Sequence, residues 1–200
     1  MNHPRRRYAA TAAITLALAL GASACGGGSS TPSGGASSSA PPDQTVATQV
    51  TYGTVTGKLN QARRARLAHA IGRLVDGWWD AAYLGGTYPR PASSFKSAFP
   101  GFTTEAAAEA AKKPGLMTNA DISGKVDGVQ AIRRVVALDP LVVKGRPVGL
   151  TARVWLAFHT TGQDTGKEVV SGSLTITPEK GQWRVFAFDI TKKQTRGGAK

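Results

Sequence analysis

The chain holds a single cysteine, Cys25, so it can form no internal disulfide, and a folded domain must rely on its core. One cysteine and three histidines also leave no Cys/His cluster with the spacing of a zinc site. Acidic residues are few: 12 Asp and Glu stand against 25 Lys and Arg, for a formal net charge of +13. Aromatic residues make up 7% of the chain, and no basic region is interleaved with them as a single-strand nucleic-acid binder requires. Long apolar runs are missing too. The stretch Ala9 to Leu20 is interrupted by Thr11 and Thr15 and falls short of the roughly 20 residues that cross a bilayer. No G-x-S-x-G nucleophile elbow, phosphate loop or dinucleotide glycine pattern occurs.

What is present begins with an export signal. Arg5, Arg6 and Arg7 form a positive start, Ala9 to Leu20 an apolar middle, and Gly21 to Ala24 a run of small residues. Cys25 follows at once, and then a Gly/Ser tract. Leu20-Gly21-Ala22-Ser23-Ala24-Cys25 resembles a bacterial lipobox, with Ala22 where that pattern prefers Leu. The resemblance implies that residues 1–24 are a cleaved lipoprotein signal peptide. Cys25 would then be acylated, with palmitate-type chains, and the protein anchored on the extracytoplasmic face of the cell membrane. Two acyl chains hold a protein at a bilayer where one binds only reversibly. The alternative is an ordinary cut after Ala22-Ser23-Ala24, leaving a secreted protein with one free thiol.

Residues 25–44 read as a tether. They are almost all Gly, Ser, Ala, Pro and Thr, and cannot bury enough apolar surface to offset their ordering entropy. A Gly/Ser chain of this length reaches on the order of 25 Å. Beyond it, residues 58–191 hold 18 basic and 11 acidic side chains. A basic domain on a short tether is drawn to anionic lipid or wall polymer, or to an envelope protein partner. The export signal argues against nucleic acid.

Residues 45–57 are expected to be an extended lead-in. A helix is predicted from Lys58 to Leu84, with Leu67, Ala70, Ile71, Leu74, Trp78 and Ala82 on one apolar face. Gly85-Gly86 ends it. Two short helices follow, one over Ser93 to Ala98, the other capped by Thr103 or Thr104 and closed at Pro114-Gly115. The period then changes to two. Strands are predicted over Gly128 to Val143 with a bulge or bend at Pro140, Leu150 to Thr160, Glu168 to Thr177 and Gln182 to Ile190. Glu179-Lys180-Gly181 is a hairpin turn, and residues 192–200 a basic disordered tail. Helices first and an antiparallel meander after predict an α+β fold, its N-terminal helices packed on a sheet of four or more strands.

This order resembles the nuclear-transport-factor-two-like cone, a curved antiparallel sheet around a pocket. Gly181-Gln182-Trp183-Arg184-Val185 is similar to the G-x-W-R-V pattern of its last hairpin. The chain also resembles actinobacterial-type lipoproteins that carry such a domain without an assigned function. The resemblance implies either a non-catalytic binding or scaffold module or an enzyme of isomerase, cyclase or dehydratase type. An enzyme of this type needs an Asp or His facing the pocket. Asp76, Asp80, His69, His159, Asp139 and Asp189 are the candidates, and each also reads as a solvated or structural group. No catalytic, metal or cofactor residue is assigned, and no cofactor is expected. Trp78, Trp79, Tyr83, Phe95, Phe99, Trp155 and His159 are the candidate pocket or core lining. The leading expectation is a binding module for an envelope partner or a small apolar ligand.

Overall fold

The computed structural model describes residues 46–196. The expectations for residues 1–24, for Cys25 and for the tether lie outside the described residues. Strand β1 (Gln49–Tyr52) is followed by α1 (Gln61–Trp79), a π-helical turn (Asp80–Leu84) and a 3-10 turn (Ala92–Ser97). Helices α2 (Thr104–Ala111) and α3 (Pro114–Met117) precede β2 (Val126–Val143), β3 (Arg146–Gly162), β4 (Gly166–Glu179) and β5 (Gln182–Arg196). The architecture is mixed α+β, with a five-stranded open sheet in the order β1-β2-β3-β4-β5. No helix among the described residues is long and apolar enough to cross a membrane.

Helix α1 starts later than its apolar pattern alone predicts. Asn60 caps it, its side chain accepting from the Arg63 amide at 2.9 Å. One face carries Leu67, Ile71, Val75, Trp78 and Trp79 into the core. The π turn closes where Gly85 N donates to Asp80 O at 2.7 Å, the i to i+5 bond of a widened turn. Thr103 caps α2 by accepting from Ala106 N at 3.2 Å. Pro114 opens a further turn instead of closing the region, because a proline at the first helical position loses only an amide that has no helical partner.

The sheet is not wholly antiparallel. Strands β2 to β5 form the expected meander, but the lead-in becomes β1 and pairs parallel to β2, with Gln49 opposite Val135 and Tyr52 opposite Leu138. The helices between β1 and β2 supply the long crossover that parallel pairing requires. Pro140 sits within β2 without breaking it. Its carbonyl accepts from Thr56 N, so its nitrogen points to the same side, past the end of β1, where no strand calls for a donor. The β2–β3 hairpin turns on Lys144-Gly145 (φ 48° and 75°) and the β4–β5 hairpin on Lys180-Gly181 (φ 49° and 79°). Two successive left-handed residues match the twist of the flanking strands.

Strand β5 corrects the expected disordered tail over residues 192–196. Its ladder with β4 continues through Lys192 opposite Val170 and Gln194 opposite Glu168 to Arg196 opposite Gly166. β4 begins at Gly166, so its backbone groups are available to pair β5 that far. Buried residues of α1 (Leu67, Ile71, Trp78) and of the sheet (Leu138, Leu156, Leu174) belong to one apolar cluster. Gly172, at φ 147° inside β4, allows a close strand approach. A Cβ there would lie 2.0 Å from the carbonyl oxygen of Asp189.

Candidate functional site

Side chains alternate along β4, and Val170, Leu174 and Ile176 point into the core. Glu168 shares their parity, so the strand carries a carboxyl group inward, where it is only 1% exposed. Phe158 faces it from β3 and Gln194 from β5. Lys192 stands two residues before Gln194, on the same face of β5. Its ammonium donates to Asp121 Oδ1 at 2.9 Å and to the Thr118 carbonyl at 3.3 Å. Gln194 Nε2 donates to Asp164 Oδ1 at 3.0 Å. Glu168, Lys192, Gln194 and Asp121 line a pocket of about 300 Å³ together with Gly115, Leu116 and Ile122.

Glu168 Oε2 is shut from solvent and has no hydrogen-bond partner. Burial pushes its carboxyl above the ordinary carboxylate range. The Lys192 charge opposes that rise, and the charges of Asp121 and Asp164 add to it. The wall behind the pocket is a hydrogen-bonded unit. Tyr83 Oη donates to the Leu116 carbonyl at 2.7 Å, while Tyr88 Oη (2.6 Å) and Asn119 Nδ2 (3.0 Å) donate to the Tyr83 carbonyl. The Tyr83 phenol is held well above its usual range, chiefly by burial, with the Asp121 charge adding to it.

An apolar groove of about 380 Å³ runs beside this pocket, between the 3-10 turn and the end of α2. Phe95, Phe99, Ala92, Ala111, Pro114 and Ala120 line it. Gly115 and Asp121 belong to both linings, so the groove and the acidic pocket adjoin. Both volumes fall in the range of small-molecule sites, about 300–1,000 Å³. A further cleft of about 430 Å³, at the start of α2, is lined by Glu105, Glu179, Lys180 and Arg184, whose charges balance.

The predicted lining residues separate into three groups. Trp78, Trp79 and Tyr83 are fully buried and fill the core. Phe95 and Phe99 line the groove. Trp155 and His159 belong to neither. They occupy the opposite face of β3 from Val154, Leu156 and Phe158, where His159 is exposed and Trp155 lies under the Arg133 guanidinium at 5.4 Å. None of the predicted acid/base candidates lines these three pockets. Asp76 and Asp80 hold the Arg134 guanidinium, which is buried against the Trp79 ring at 5.8 Å. Asp139 pairs with Arg153 at 3.0 Å, and His69 and Asp189 are exposed.

Sequence reasoning missed Glu168, Lys192 and Asp121 as a site. The signal for Glu168 was its even spacing from Val170, Leu174 and Ile176. Nothing local marked Lys192, which β5 draws out of the expected tail, or Asp121. Among the described residues no three His, Cys, Asp or Glu side chains gather as metal ligands. Comparison of the chain with protein-family models, with curated proteins and with solved structures finds no match.

Proposed function

We propose that the protein is a lipoprotein anchored through Cys25 on the extracytoplasmic face of the cell membrane. Its domain, read as a cone of the nuclear-transport-factor-two-like type, is a non-catalytic binding module for a small ligand with an apolar body. The observation that carries this reading is the open groove walled by Phe95 and Phe99 beside a core closed by Trp78, Trp79, Tyr83 and Phe158. The interior is filled by the protein's own side chains, so a ligand is received at the groove. The exposed stripe of Arg66, His69 and Arg73 on α1 supports an orientation toward anionic lipid or wall polymer. Lys192 adds nothing to that attraction, being spent on Asp121.

Two experiments test the two halves. Mass spectrometry of the full chain expressed in bacteria should find the mature N-terminus at Cys25 carrying acyl chains, lost in Cys25→Ala. An unacylated Cys25 would leave a secreted protein and end the anchor. The neutral fluorescent dye prodan should bind the full chain saturably, and Ala92→Trp, which fills the groove from its exposed rim, should abolish that binding. Unchanged saturable binding in Ala92→Trp would move the ligand away from the groove. The rival reading, an enzyme, rests on Glu168 rather than on an Asp or His. A buried carboxyl with a raised pKa holds its proton to higher pH than an exposed one, as a general acid requires.

A further inference from the structure

Glu168 is the only buried carboxylate among the described residues, and its Oε2 lacks a donor. A buried acceptor left unpaired loses its hydration with nothing in return, and more so when it is charged. The pocket it faces offers no spare cation to complete it. Lys192 already donates to Asp121 and to the Thr118 carbonyl, and Gln194 turns its amide to Asp164. Glu168 and Asp121 outnumber Lys192 in the lining, and Asp164 stands just outside it, so the pocket is locally acidic within a basic protein. The apolar groove joins this pocket at Gly115 and Asp121.

We infer that the acidic pocket binds the ammonium group of an amphipathic amine, whose alkyl or aryl body lies in the Phe95–Phe99 groove. This rests on the binding-module reading and names its ligand class. An ammonium supplies three donors, enough to reach the Glu168 carboxylate where that side chain lines the pocket and the exposed carboxylate of Asp121. Its positive charge offsets the excess of carboxylates, where an anionic head would add to it. Lys96, on the exposed wall of the groove, is the cation that competes for an anionic ligand instead.

Isothermal titration of the full 200-residue chain with octylamine, octanol and octanoate at neutral pH tests the assignment. Octylamine should bind about tenfold more tightly than octanol, as a charge-assisted hydrogen bond implies, and octanoate most weakly. Glu168→Gln should weaken octylamine about tenfold and leave octanol unchanged. Lys192→Met should act in the opposite direction and strengthen octylamine, because it removes a competing cation. A gain cannot come from a damaged fold. Octanol binding with no preference for octylamine would overturn the ammonium assignment while leaving the groove as a ligand site. Tight octanoate binding would do the same. Methylammonium binding as tightly as octylamine would remove the groove from recognition and also overturn it. Dimerisation that octanol and octylamine disperse alike would give the groove to a second copy. Failure of all three eight-carbon compounds would take the binding-module reading down as well.

Discussion

The ion cluster joining α1 to β2 makes a prediction whose sign depends on which partner is removed. The Arg134 side chain is 8% exposed, while those of Asp76 and Asp80 are 32% and 55% exposed. Arg134→Met keeps an unbranched apolar stem against Trp79 and removes two charge pairs. Each pair with a partly exposed carboxylate contributes about 0.2–1 kcal/mol. Asp76 and Asp80, one turn apart, would then repel by about 0.2–0.5 kcal/mol, but both can take up water. The loss should total about 0.6–2.5 kcal/mol. The double variant Asp76→Asn/Asp80→Asn keeps the Thr48 hydrogen bond to an acceptor at position 76 but leaves a buried guanidinium without a countercharge. Such an unpaired buried charge costs about 3–5 kcal/mol. Urea unfolding at neutral pH should rank the double Asn variant well below Arg134→Met. The triple variant should recover much of the difference, because it no longer buries a charge. Equal losses for Arg134→Met and the double variant, or no recovery in the triple, would refute the asymmetry and make the cluster an ordinary surface network.

Other positions give separate expectations. Gly172→Ala should lose about 2–4 kcal/mol in the same assay, because φ 147° disfavours a Cβ and Asp189 O blocks its place; a loss under about 1 kcal/mol would mean that β4 and β5 part easily. Trp78→Phe should destabilise by about 1–2 kcal/mol more than Trp79→Phe. Trp78 Nε1 donates to the Met117 carbonyl at 3.3 Å, whereas Trp79 Nε1 has no partner to lose. The Glu168 carboxyl is raised in the folded state, so between its ordinary 4.5 and the raised value the folded chain binds more protons than the unfolded one. Stability therefore falls as pH rises through that window, and Glu168→Gln should stabilise the protein more at pH 7 than at pH 4. A pH-independent difference in thermal midpoint between the two proteins would contradict this.

Much of the architecture was legible from local pattern. The apolar face of α1, the end of the helical stretch at Gly85 and the alternation of the four long strands are set by periods of 3.6 and 2, which act over a few residues. The joining of residues 49–52 to β2 was not legible, because a parallel pair such as Gln49 and Val135, 86 residues apart, has no local signature. The same holds for the extent of β5. Lys192 looks like a tail residue until β4 is found to offer it a ladder position. Glu179-Lys180-Gly181 is predicted as a turn, whereas Lys144-Gly145, with the same chemistry, is not.

The candidate site divides in the same way. Phe95 and Phe99 stand out as aromatics one turn apart, and both line the groove. Trp155 and His159 look equally prominent, yet strand parity turns them away from the core. Residue order alone determined a basic chain with one cysteine beyond an apolar stretch, and a helical segment followed by strands of alternating character. Only tertiary structure decided that Glu168 is buried without a partner and that Lys192 is spent on Asp121. It also set the apolar groove against that acidic pocket. Burial and pairing depend on which distant residues the register brings opposite, and no local period encodes that choice.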